Sequence, residues 1–206
     1  MKFRTTKTID LDKFFNVEFN KKYPIISCAS AMFGIIGGVI LQSVDKTVGD
    51  GSAGIFNEFY TQNATRSVPG IFLSSFAENM LIIAFLMFLG FSSVGFAAVY
   101  IAPIFKGLGV GAVCSYIYSS YLFKGVAYCA LAVFPAAALQ FIAIILACNE
   151  SAQMSRDILR LIRKNGAAET KIRTDLYLLR YAVITSVTAL SSILYSVGVG
   201  LFFKLA

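Results

Sequence analysis

Histidine is absent from this chain of 206 residues, and Asp, Glu, Lys and Arg together make up only 14% of it. The first absence removes the side chain that most often ligates metals and activates nucleophiles near neutral pH. No catalytic constellation is expected, no metal or cofactor site, and no enzyme. The second scarcity excludes a water-soluble globule, because soluble domains carry about 25% charged residues on faces that must meet water. Cysteine is sparse too. Cys28, Cys114, Cys129 and Cys148 all fall inside apolar stretches, where free thiols behave as small apolar groups, so no disulfide is expected.

What the chain has in abundance is apolar length. It is 57% hydrophobic with a mean hydropathy of +0.73. Five uncharged runs stand out: Tyr23–Val44, Asn79–Phe105, Gly107–Phe123, Gly125–Asn149 and Tyr181–Phe203. A helix needs about 20 apolar residues to cross the hydrocarbon core, and backbone amides in lipid must pair within the segment. The expected fold is therefore all-α, a polytopic membrane helix bundle of about five transmembrane helices. Its spans are placed at 23–44, 79–103, 107–123, 125–149 and 181–203. They form one membrane domain (23–206) after a basic tail (1–22), with an outer loop at 45–77 and a basic cytoplasmic segment at 151–180.

Basic residues set the expected orientation, since loops rich in Lys and Arg stay in the cytoplasm. Six lie in the tail, among them Lys2, Arg4 and Lys22, and seven lie between Arg156 and Arg180. Five crossings put both clusters inside, with the N-terminus cytoplasmic and the C-terminus outside. The polar start of the chain does not read as a removable signal. Its net charge of +7 then follows from orientation, and nucleic acid is not an expected partner.

The stretch APIFKGLGVGA (102–112) tests this reading. As a phosphate loop it would need a strand before it and a soluble helix after it, and the pattern offers neither. As a membrane feature, Pro103 ends or bends the second helix, and Lys106 marks a cytoplasmic turn from which its stem reaches the headgroups. Gly107 and Gly111 then form a small-xxx-small pair of the kind that lets helix backbones approach closely in lipid. Gly34 and Gly38 make a second such pair.

Other signals are local. Ser67 and Pro69 read as a helix start, and Phe72 and Phe76 would share one face. Pro135 is expected to kink the fourth span and Gln140 to hydrogen-bond across a helix interface. A permeant pathway is the alternative for Gln140. In SAQMSRDILRLIRK (151–164), Met154, Ile158, Leu161 and Ile162 recur at helical spacing among basic residues. Such a segment lies on anionic lipid or serves as a solvated, topology-setting loop. No charged residue falls near the centre of any of the five runs.

Taken in order, FGIIGGVILQS (33–43), SSFAENM (74–80), FLGFSSVGFAAVYIAPIFKGLGVGA (88–112) and LAVFPAAALQFIAIILACNESAQMS (131–155) resemble the stage II sporulation protein M family of bacterial membrane proteins. Gly90, Gly95, the Phe105-Lys106-Gly107 stretch and Phe134-Pro135 carry the likeness best. The resemblance implies a multi-pass protein of the bacterial inner membrane. It implies a non-catalytic scaffold that anchors the cell-wall hydrolases stage II sporulation proteins D and P at the septal membrane during engulfment. The expected partners are then the lipid bilayer, these hydrolases and a further copy of the chain. The competing class is a small transporter, channel or lipid-handling subunit, packed as a homodimer through Gly34/Gly38 or Gly107/Gly111, with a polar cavity lined by Gln140 and serines.

Overall fold

Apolar runs surrounded by lipid have one local solution, a helix in which each amide bonds within its own segment. The computed structural model adopts it across the residues it describes, 22–48, 67–93, 95–163 and 174–205, with no strand among them. The elements are α1 (Lys22–Val48), α2 (Val68–Gly90), the single turn α3 (Gly95–Ala98), α4 (Ile101–Tyr128), a π-helical turn (Cys129–Val133), α5 (Phe134–Arg163) and α6 (Thr174–Leu205). Five stretches are long and apolar enough to cross a membrane: Tyr23–Val44, Val68–Gly90, Gly95–Ser119, Phe134–Ile162 and Thr174–Leu201. The all-α, five-span expectation matches. The tail before residue 22, residues 49–66 of the expected outer loop and residues 164–173 of the expected basic segment lie outside the described residues.

The boundaries of the second and third spans differ from expectation. The expected second span runs 79–103, but α2 starts at Val68, with Ser67 at the N-cap position, its hydroxyl making no capping bond, and Pro69 in the first turn. Phe72 and Phe76 lie within it, their rings stacked 5.8 Å apart. The break comes at Phe91–Ser93, where the Phe91 and Ser92 amides bond back to the carbonyls of Phe88 and Leu89. Pro103 therefore does not end the second helix. It sits in the first turn of α4, where a missing amide hydrogen has no partner to lose. Lys106 is not in a turn at all; it lies mid-way along the Gly95–Ser119 span. The difference has a physical reason: a charged residue interrupts an apolar run in the same way whether it ends a span or is paired within one.

Helical residues continue from Ile101 to Arg163 without a gap, yet the chain doubles back. A Cβ on Gly125 would lie 2.5 Å from the carbonyl oxygen of Ile117. A straight helix would separate residues eight apart by about 12 Å. The third and fourth spans are thus neighbours joined by a tight reversal between Ile117 and Gly125. Just beyond it, the Phe134 amide bonds to Cys129 O, five residues back. This π-helical turn directly precedes Pro135, whose ring nitrogen has no hydrogen to donate to the ordinary i−4 carbonyl.

Helix α5 is the centre of the bundle: half of its span is covered by protein, against a fifth to a third of the others. Ala143, Ile144, Ala147, Cys148 and Ala152 present a narrow surface from it, packed against Ile83 and Leu86 of α2 and Tyr181 and Ile184 of α6. Small residues on the central helix let its neighbours come close.

A mid-membrane cavity and the residues that frame it

One end of the bundle is tied by polar side chains, and it fixes the depth of everything else. Ser151 Oγ donates to Leu86 O at 2.7 Å and also bonds the Tyr181 hydroxyl, while Tyr177 donates to Met87 O at 2.9 Å. Gly90 allows this contact, since a Cβ there would collide with the Tyr177 hydroxyl. Ser155 donates to Ser92 O and accepts from the Phe96 amide, so α5 holds both sides of the α2–α3 break. Gly95 folds that break tightly, as a Cβ would strike the Leu89 carbonyl. Arg180 pairs with Glu150 through one nitrogen, Nη1, which donates to both carboxylate oxygens at 2.7 and 2.9 Å, largely screened from solvent. Arg156 lies 4.6 Å above the Tyr23 ring and 5.5 Å from that of Phe96. Every one of these motifs, LGFSSVGF and NESAQMS included, meets at the same end of the molecule.

Counted from this layer, a second polar group lies deep in the bilayer. Asn79 is eleven residues before Gly90 on α2, about 16 Å along that helix, and Lys106, five residues into α4, is bonded to it and so shares its depth. Gln140 is ten residues before Glu150, and Ser191 eleven after Arg180. With a hydrocarbon core about 30 Å thick, all four are near the midplane. Lys106 Nζ donates to Asn79 Oδ1 at 2.6 Å. The Glu78 carboxylate is in electrostatic reach of the same ammonium. These groups border a cavity of about 350 Å³ that also reaches Gln140, Ser191 and Tyr195 and has walls of Ile71, Ile82, Val110, Val113 and Val133. Ser191 donates to Ala136 O at 2.8 Å. Gln140 is 2% exposed, and neither its Oε1 nor its Nε2 has a hydrogen-bond partner among the described residues. The helix-interface bond expected of Gln140 is not seen; the residue is one of those lining the cavity, but both polar atoms of its carboxamide are buried and unbonded among the described residues.

The expectation that no charge sits at mid-depth is corrected by Glu78 and Lys106. Asn79, expected at a helix end, is the middle of α2. A usable signal was present: a helix started by Ser67 and Pro69 and about 20 residues long must carry Glu78 through its centre.

The glycine pairs do what their spacing implies, with each other. A Cβ on Gly34 would fall on the carbonyl of Ile104, and one on Gly38 on that of Leu108; from the other side, Gly107 abuts Ala31 O and Gly111 abuts Ile35 O. The two small-xxx-small motifs form a seam between α1 and α4 within one chain, so neither pair is a free surface for a second copy. Pro135 is exposed on the surface of α5.

A sequence model of one family, stage II sporulation protein M, matches residues 27–204. The chain belongs to the stage II sporulation protein M family. No curated protein and no solved structure is significantly similar to it. Family membership and the five apolar helices together make this a multi-pass membrane protein. In this family member the matched region takes in both the polar hub around Ser151 and the mid-membrane cavity.

Proposed function

We propose that this protein is a non-catalytic scaffold of the bacterial inner membrane that anchors and localises peptidoglycan hydrolases at the septal membrane during engulfment. The single observation behind this reading is the family match over residues 27–204. The architecture suits it. A bundle whose α1–α4 seam leaves no room for a methyl group and whose hub contains a buried ion pair is a stiff platform. The proposed partners are stage II sporulation proteins D and P, with the N-terminus and the basic segments cytoplasmic. The test is purification of the tagged protein in mild detergent from cells entering engulfment, followed by assay of the eluate for peptidoglycan hydrolysis. The scaffold reading expects hydrolase activity to co-elute and to be lost when residues 45–67 are replaced by a glycine-serine linker. An eluate without hydrolase, from cells that contain the enzymes, would overturn it.

The cavity supports a second reading, a small lipid-handling or transport unit. A desolvated Lys106 and an unpartnered Gln140 at mid-depth are costly features that a purely structural bundle has no need to keep. Solute or lipid flux in vesicles reconstituted with the purified protein, lowered by Gln140→Leu, is the expected result; wild-type flux at the level of empty vesicles would refute it.

A further inference from the structure

Two thiols that are 15 residues apart in sequence meet at the end of the bundle opposite the hub. The two arms of the reversal run antiparallel, with Gly125 against Ile117. Continuing that register back from the turn sets residue 114 opposite residues 128–129. Cys114 and Cys129 accordingly pack in one apolar cluster with Ile117, Tyr128 and Val133, and their side chains are in hydrogen-bonding contact. The structure holds both as free thiols, the reduced form. The other two cysteines stand apart from them: Cys148 is buried and donates to Val99 O at 3.3 Å, and Cys28 is exposed on α1.

Depth and side bear on what such a pair does. Cys114 is eight residues beyond Lys106 on α4, about 12 Å along the helix. Measured from mid-depth, that is just inside the edge of a hydrocarbon core about 30 Å thick. The opposite end carries Arg156 and Arg180. With that basic end cytoplasmic, the orientation proposed above and the one on which this inference rests, the two thiols lie beneath the outer surface. Disulfides persist on that side of a membrane and are rare in the cytosol. Cys114 is half-buried and Cys129 only 6% exposed, so the first is open to an incoming reagent and the second is held behind it.

We propose that Cys114 and Cys129 are an oxidisable pair, closed to a disulfide by exchange with a disulfide-bearing oxidant at the outer face of the membrane. The Cys114 sulfur gives up its proton and attacks one sulfur of the incoming disulfide, whose other half leaves as a thiol. Cys129 then loses its proton and attacks the Cys114 sulfur of the mixed disulfide, and the second half leaves as a thiol. Two electrons pass from the cysteine pair to the oxidant, which ends as two thiols. The new bond ties α4 to the π-helical turn. Val113 adjoins Cys114, and Val133 ends the turn that Cys129 begins; both line the cavity, so closure pins two of its walls together.

The test quenches intact growing cells with acid and alkylates the full chain with N-ethylmaleimide in denaturant, before any reductant is added. After reduction, an isotope-labelled maleimide marks the cysteines that had been oxidised, and mass spectrometry assigns the label on each peptide. Cys28 and Cys148 are expected to carry the first label, and Cys114 and Cys129 the second. In Cys114→Ser, Cys129 should move to the first label, whereas in Cys28→Ser the pair should keep the second. A Cys129 that keeps the second label in Cys114→Ser would overturn the pairing. Orientation is read separately, by an impermeant maleimide added to cells with a cysteine-free chain carrying Ser67→Cys. First label on both Cys114 and Cys129, in cells where Ser67→Cys is reached from outside, would overturn the proposal alone. The same result with Ser67→Cys protected would overturn the orientation and the proposal with it.

Discussion

Two glycines in one turn of α4, at 109 and 111, should respond to the same substitution with opposite sign. Replacing Gly111 by alanine drives a methyl group onto the Ile35 carbonyl of α1, with the Ile35 C and Cα atoms at 3.0 and 3.1 Å. These are backbone atoms and cannot rotate away. Ordinary carbon–carbon contact is about 3.5–4.0 Å, so α1 and α4 must part by roughly 0.5–1 Å, which forfeits a quarter to a half of each well along the seam. Overpacking of this kind costs about 1–3 kcal/mol. For a chain of this length each kcal/mol shifts Tm by about 2–4 °C, so Gly111→Ala should unfold about 2–12 °C early. Gly109→Ala meets open space and gains up to about 1 kcal/mol of helix propensity, so its Tm should hold or rise by about 2–4 °C. Cys148, fully buried at 0% exposure, supplies the readout. With Cys28, Cys114 and Cys129 replaced by alanine, a fluorogenic maleimide reports unfolding as that thiol appears. Equal melting temperatures for the two variants would refute the seam.

Other substitutions probe the hub and the orientation. Glu150→Gln or Arg180→Gln alone leaves an unpartnered charge in a largely covered site and should destabilise by about 3–5 kcal/mol. The double variant Glu150→Leu/Arg180→Leu should recover most of that in the same thiol-exposure assay, and a double variant worse than either single would contradict this account. Ser155→Ala removes the side chain that bonds both Ser92 O and the Phe96 amide. It should cost about 1–3 kcal/mol and speed amide hydrogen exchange at Phe96 before any position in α4. In a cysteine-free background, Ser67→Cys and Ser92→Cys place thiols at opposite ends of α2. If the basic end is cytoplasmic, a membrane-impermeant maleimide added to intact cells should label the first and spare the second.

Particular residues show where the sequence was transparent. Ser67 and Pro69 mark the start of α2 through backbone chemistry, which is local: Pro69 suits the first turn, and Ser67 takes the extended N-cap conformation without a side-chain bond. The spacing of Gly34/Gly38 and Gly107/Gly111 disclosed two close-approach surfaces, because one residue in four along a helix lies on one face. It did not say that the surfaces meet each other. Lys106 was misread because a charge in an apolar sequence looks the same whether it ends a span or is paired within one. The pairing with Asn79 joins positions 27 residues apart, and no local signal reports it. Ser151 offered still less: a serine within SAQMS becomes a hub only when α2 and α6 bring Leu86 and Tyr181 to it.

The sequence by itself determined the medium and the class of structure. Too little charge to cover a globule, and apolar runs of bilayer length, left helices in lipid as the only arrangement that satisfies every amide. Which helix is central, which glycines interlock, and that a lysine, a glutamate and an unbonded glutamine share one space were decided only by tertiary structure. Backbone satisfaction acts within a few residues and is written in composition, whereas the side-chain partners of a buried charge are set by helices that meet across the bundle.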